Sequence, residues 1–249
     1  MLKHRFIKPF TIFLLLLLAI GGYSGFISYW WLMAPLAFYF ICISFGSYFI
    51  QLNYFVEATN KSSNKNKKIA LTFDDGPLPE HTEKLLNLLT QKQVKASFFL
   101  IGKNVKNNAW LTQEILKNGH LIGSHGFEHG NNFPFLSIEK MKRDIEEGIA
   151  AIAAVTGYKT NYFRPPFGVT NPNISNAVRQ LQLKVIGWSL RSYDTSIKNE
   201  QTLLNRLFKA KEGDIILLHD WASTTLKVLP TFIDEYQKKG FEFVRVDEL

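Results

Sequence analysis

Forty-eight consecutive residues, 9–56, carry no charged side chain, and this stretch constrains the chain more than any other feature. It is rich in Leu, Ile and Phe, too long for one bilayer crossing and about right for two of roughly 20 residues each. The first run, Phe10 to about Ser28, contains Leu14 to Leu18 and weakens at Gly21, Gly22, Ser24 and Gly25. Tyr29, Trp30 and Trp31 then suit a headgroup boundary, and a second run from Leu32 to about Leu52 ends at Tyr54 and Phe55. Residues 1–56 therefore read as a membrane anchor, a hairpin of helices over about 10–28 and 32–52. A cleavable signal peptide is the rival, because Lys3, Arg5 and Lys8 precede a short apolar region. The second apolar run follows at once and favours an uncleaved anchor. An ordinary soluble cytosolic protein is excluded.

Residues 57–67 are polar, lack apolar periodicity and are expected to be a linker. The remaining 68–249 suffice for one domain with a sizeable core. Of the 29 basic and 21 acidic residues, 26 and 20 follow residue 60, and the cations are dispersed except for Lys61, Lys65, Lys67 and Lys68. That is a solvated surface with a basic cluster beside the membrane, and no nucleic-acid partner is expected. A single cysteine, Cys42, excludes an intramolecular disulfide framework and a cysteine metal cluster. No protein partner is inferable.

Beyond the linker, short apolar runs alternate with segments of helical period. KIALTF (68–73), KASFFLIG (95–102), HLIGS (120–124), KVIGWSL (184–190), DIILLH (214–219) and FEFVRV (241–246) read as strands. The segments between them place apolar residues three and four apart, and several stop at Gly119, Gly157, Gly213 or Gly240. This order argues for an α/β fold of parallel strands with helices outside, an open sheet or a (β/α) barrel.

The polar residues fall at one edge of that fold. Asp74 and Asp75, His125 and His129, Arg164, Asp194 and His219 each lie at or just past the carboxyl end of a strand, where parallel α/β folds bind ligands. Singly, each has an ordinary explanation. Asp-Asp-Gly-Pro is also a plain polar turn, a lone His-x3-His is more often incidental than a metal site, and a histidine ending an apolar strand is usually structural. Adjacent carboxylates ionise together at low cost only beside a cation. Seven such residues on successive strand ends make coincidence a poor account.

LTFDDGP (71–77), SHGFEH (124–129), RPPFG (164–168), WSLRSYD (188–194) and ILLH (215–219) resemble the five ordered motifs of the polysaccharide deacetylases, the NodB-homology or carbohydrate esterase family 4 domain. The resemblance covers roughly 67–249. It implies a distorted (β/α) barrel that removes N-acetyl groups from amino-sugar glycans with a divalent metal, usually zinc. It further implies that Asp75, His125 and His129 bind the metal, Asp74 is the base and Arg164 holds it. His219 is then the acid with Asp194 as its partner, and the backbone N–H of Phe167 is an oxyanion donor. Three positions depart from the family pattern. Gly126 stands where a Ser or Thr usually braces the metal loop, Arg191 where an acidic residue is common, and Thr195 where Trp is usual, so the groove differs and the particular glycan is not inherited. The alternative to an enzyme is a non-catalytic carbohydrate-binding membrane protein, which would be expected to lose some of these side chains.

Sidedness has two contrary indications. Lys3, Arg5 and Lys8 before the hairpin and Lys61, Lys65, Lys67 and Lys68 after it favour cytoplasmic placement of both ends, with a lipid-linked or precursor sugar as substrate. The substrates implied by the resemblance lie mostly outside.

Overall fold

The computed structural model describes residues 3–64 and 66–249. Two helices come first, α1 (His4–Tyr23) and α2 (Met33–Tyr48), joined through a 3-10 turn at Tyr29–Leu32. The first starts and ends earlier than its apolar run. Lys3, Arg5 and Lys8 are no obstacle to helix, whereas Gly25 takes a left-handed conformation (φ 75°) that ends it. The second stops at Tyr48, because the chain turns through Ile50–Leu52 to a left-handed Asn53 (φ 50°) and sinks the Ile50 side chain into the barrel core. Only 11% of each apolar window is buried, so neither helix is packed as the core helix of a soluble domain would be.

The barrel follows as β1 (Ala58–Thr59), β2 (Lys68–Asp74), α3 (Pro79–Gln91), β3 (Ser97–Leu100), α4 (Gly102–Asn107), α5 (Ala109–Lys117), β4 (Leu121–Ser124), α6 (Ile138–Thr156) and β5 (Tyr162–Phe163). It ends with α7 (Pro172–Gln180), β6 (Lys184–Ile186), β7 (Leu190–Arg191), α8 (Glu200–Leu207), β8 (Ile215–His219), α9 (Ser223–Lys238) and β9 (Glu242–Val244). The strands lie parallel in the order β1-β6-β5-β4-β3-β2-β8-β7, with β9 also against β2.

The run KVIGWSL, expected as one strand, is split. Lys184–Ile186 pairs with β5 at one end of the sheet, and Leu190–Arg191 pairs with β8 at the other. Gly187 to Ser189 bridge the gap, so a single run spans the two ends of the curled sheet and leaves a distorted barrel that is not closed by strand pairing. A Cβ at Gly187 would overlap the side-chain oxygen of Asn60 and force that side chain to shift. Both faces of the strands are buried, which is why they read as continuous apolar runs. Leu71, Phe73, Phe98, Leu100, Ile216 and Leu218 face the helices, while Ala70, Phe99, Ile215 and Leu217 join Phe163 and Trp188 in the second core cluster.

Part of the stretch expected as a linker lies along the barrel. Ala58–Thr59 pairs with Val185 and Ile186, Ser62 N–H donates to the Gly213 carbonyl, and Lys61 Nζ is 2.8 Å from Asp214 Oδ1. Lys67 and Lys68 Nζ reach the carbonyls of Lys239 and Glu248. Three of the four clustered lysines are thus held by the barrel, and the fourth, Lys65, lies outside the described residues. The hairpin is fastened at its base as well: Thr170 donates its N–H to the Ser47 carbonyl and its hydroxyl to that of Gly46, and His4 N–H donates to the Tyr54 carbonyl.

Candidate active site

Alternation along β2 turns Thr72 and Asp74 to one face, and the chain then enters a left-handed conformation at Asp75 (φ 76°), which presents the second carboxylate apart from the first. Asp74 is buried, and Arg164 Nη1 lies 2.7 Å from its Oδ1. Arg164 itself is fully buried. Its Nη1 also donates to Thr72 Oγ1, its Nε to the Ile186 carbonyl and its Nη2 to the Gly187 carbonyl. Burial pulls the guanidinium pKa down while Asp74 opposes that pull, and the fork geometry satisfies a charge that would otherwise be too costly to bury.

Asp75, His125 and His129 each turn one ligand atom into a common space, all within 4.8 Å of one another. His125 Nε2 is 3.6 Å and His129 Nε2 3.5 Å from Asp75 Oδ1. The ring orientation of His125 is set at its far side, where Nδ1 sits 2.7 Å from the Arg164 carbonyl. Burial, followed by neighbouring His125, pushes the His129 pKa down to about 4, so its imidazole is neutral and offers a lone pair. Burial would raise the pKa of Asp75, but His125, the indole N–H of Trp221, His219 and His129 together hold it below the ordinary value. One carboxylate and two imidazoles on two loops form the donor set of a divalent transition metal with open positions, and the residues fit such an ion.

Opposite lies His219, at the end of β8 and in register with Asp74. Its Nδ1 is 2.8 Å from Asp194 Oδ1, and its backbone N–H donates to Asp194 Oδ2 at 2.8 Å. Burial alone would depress the imidazole pKa, but the bond to Asp194 and the charges of Asp194, Asp74 and Asp75 carry it above the usual histidine range. Asp194 is fixed in turn by the hydroxyls of Ser192 and Thr225 and the N–H of Thr195. Burial works to raise its own pKa, yet His219 keeps it below the ordinary value. Phe167 has a left-handed backbone (φ 62°) in the Pro166–Gly168 turn, and its N–H donates no hydrogen bond among the described residues. Gly168 lets that turn approach Trp188, whose ring a Cβ would overlap. A cavity of about 170 Å³ is lined by Asp74, Asp75, His125, His129, Phe167 and His219, with Arg191 also on its wall.

Several side chains were not singled out from the sequence. Trp221 Nε1 donates to Asp75 Oδ2 at 2.9 Å, and no motif spacing pointed to it. Asp144, on α6, takes the bracing task that Gly126 cannot perform: its two oxygens accept from the N–H groups of Phe127 and Glu128, each at 3.0 Å. A Cβ at residue 126 would stand 2.6 Å from Asp144 Oδ1, so the glycine and the aspartate fit as a pair. The Arg191 guanidinium lies over the rings of Trp188 and Tyr193.

A distorted, incompletely closed parallel barrel with paired aspartates, two histidines and a buried arginine at its carboxyl edge is the frame of a metal-dependent hydrolase. A family profile described as polysaccharide deacetylase matches residues 61–186. Peptidoglycan-N-acetylglucosamine deacetylase of Bacillus cereus is 36% identical over 194 residues, spanning 75% of this chain and 89% of that one. Peptidoglycan-N-acetylglucosamine deacetylase PgdA of Listeria monocytogenes is 35% identical over 185 residues, 74% of this chain but 39% of the relative, so the chain spans about two fifths of that protein. Among solved structures, a carbohydrate esterase family 4 pseudoenzyme from Bacillus anthracis superposes with TM-score 0.71 at 26% identity, covering 76% of this chain and 67% of its own. The chain belongs to the polysaccharide deacetylase family, carbohydrate esterase family 4.

Proposed function

We propose that this chain hydrolyses N-acetyl groups of an amino-sugar glycan of the cell envelope, in polymeric or lipid-linked form, from a membrane anchor formed by α1 and α2. The observation that carries the reading is the convergence of Asp75, His125 and His129 beside the Arg164-held Asp74 and across from the His219–Asp194 pair. A pseudoenzyme with this fold shows that the barrel alone does not bring activity, so the weight rests on the residues. A non-catalytic carbohydrate-binding role would leave the whole set without a purpose.

Asp75, His125 and His129 would hold a divalent ion, zinc by the chemistry of the donor set, and when bound it supplies Lewis-acid polarisation of the acetyl carbonyl and lowers the pKa of water. Asp74 Oδ2, left free when Arg164 takes Oδ1, accepts the proton of the attacking water. The carbonyl oxygen becomes an oxyanion and accepts the N–H of Phe167. His219, its Nδ1 proton held by Asp194, presents Nε2–H to the departing nitrogen. The C–N bond breaks, giving acetate and the free amine.

The structure of the hairpin supports a further point. His4 against Tyr54, and Lys3 Nζ 3.6 Å from Glu57, bring the amino-terminal end and the barrel to the same side of any bilayer the helices cross. Protease on intact spheroplasts, read by loss of the barrel, decides which side that is. The activity itself is tested by acetate release from N-acetylglucosamine oligomers by the full chain in mild detergent, before chelation, after it, and after metal is restored. No acetate under any metal condition, from protein that retains its fold, would return the chain to a binding role.

A further inference from the structure

The hairpin and the barrel enclose a second cavity, away from the strand ends. It occupies about 640 Å³ between the start of α1, the 53–57 segment and α7, within the 300–1,000 Å³ of ordinary ligand sites. Lys3, Arg5 and Arg179 line it, with Ser175 and Asn176 supplying neutral polar groups. Its one carboxylate, Glu57, has a side chain 86% exposed and only a 3.6 Å approach to Lys3, so the lining is basic on balance. Nothing in the deacetylation chemistry uses these residues.

A second opening lies further along α1. Phe10, Thr11, Leu14 and Leu18 of α1 face Trp31 and Phe38 across a cleft of about 330 Å³ with almost no polar surface. Phe10 is five residues beyond Arg5, about 8 Å along the axis at 1.5 Å per residue. His4, which lines the basic cavity, and Thr11, Leu14 and Leu18, which line the apolar cleft, share one face of α1 by their spacing of seven, three and four. A basic chamber at the base of a helix pair and, past the buried Ile7 on the same face of α1, an apolar slot between the helices together have the polarity profile of an anionic amphiphile.

We propose that this pair of cavities binds one anionic phospholipid, its phosphodiester among Lys3, Arg5 and Arg179 and an acyl chain in the α1–α2 cleft. The inference rests on the membrane-anchor reading above. Phosphate chemistry alone would also admit a soluble phosphate ester, but such a ligand leaves the apolar cleft without a role.

The full chain, extracted in neutral detergent and doped with phosphatidylglycerol or phosphatidylcholine, is examined by native mass spectrometry. The expected result is one phosphatidylglycerol retained in preference to phosphatidylcholine, with the preference falling as salt rises. The double variant Arg5→Gln, Arg179→Gln should lose roughly fivefold in affinity for each cation removed. Its acetate release from soluble oligomers should be unchanged, which also establishes that the variant is folded. Equal retention of the two lipids, an unaltered double variant, or a thermal shift with inorganic phosphate as large as that with phosphatidylglycerol would each overturn the proposal. Alkaline carbonate extraction of membranes tests the anchor separately: protein that stays in the membrane yet shows no lipid preference refutes the site and leaves the anchor standing.

Discussion

Arg164 holds Asp74 with one nitrogen, 2.7 Å from Oδ1, and the carbonyls of Ile186 and Gly187 with two others, so one buried side chain ties the carboxylate to the seam of the barrel. Replacing it by Ala should cost on the order of 3–5 kcal/mol, because the partner charge stays buried without compensation. Arg164→Lys keeps a cation but loses the fork, and should retain more stability than Ala while losing about 10²-fold or more in turnover. Chemical denaturation together with acetate release separates the two effects.

Metal content should follow the three converging side chains. His125→Ala or His129→Ala is expected to lower bound divalent metal and abolish turnover while leaving the barrel folded, since both rings lie past the end of β4. Trp221→Phe removes the indole N–H from Asp75 Oδ2 and should weaken metal affinity about 10- to 100-fold without removing a ligand. Zinc titration by calorimetry distinguishes loss of the site from loss of its support.

On the proposed mechanism, the His219–Asp194 pair should set the alkaline side of the activity profile. With its folded pKa raised by Asp194, His219 stays protonated to a higher pH than a free histidine, and Asp194→Asn should move the descending limb to lower pH. The pair's contribution to stability is lost as pH rises through the folded pKa of His219, and again as pH falls through the depressed pKa of Asp194. A limb that does not move in Asp194→Asn would detach Asp194 from this role.

Asp220 carries the opposite sign. Buried beside Gly76, with Thr82 donating to Oδ2 and Oδ1 unpartnered among the described residues, it has a pKa pushed up to about 7, chiefly by burial. A carboxyl raised in the folded state binds more protons than in the unfolded chain, so stability falls as pH climbs from about 4 to about 7. In chelated protein, Asp220→Asn should remove that decline and gain up to about 4 kcal/mol at pH 8, with little change at pH 4. Thermal melts at the two pH values test this.

The strand ends were legible because β2, β3, β4 and β8 are apolar on both faces and stop at residues that cannot be buried cheaply, such as Asp74 and His219. The helices were legible from apolar spacing and terminal glycines. Three features left no local trace. Strand β5 is two residues long and exists only because β4 and β6 flank it. The division of KVIGWSL at Gly187 depends on where the two ends of the curled sheet lie, which periodicity within the run cannot express. Asp144 and Trp221 act on loops 16 or more residues away in sequence, and reach them only once the chain is packed.

Thr170 and Ile50 make the base of the hairpin part of the barrel, and Thr170 is three residues from Phe167 in the loop that borders the reaction cavity. An enzyme on a long flexible tether surveys a volume whose radius grows with the tether. With α1 and α2 in a bilayer, this one works at a single height, and its targets are selected by distance before chemistry discriminates among them.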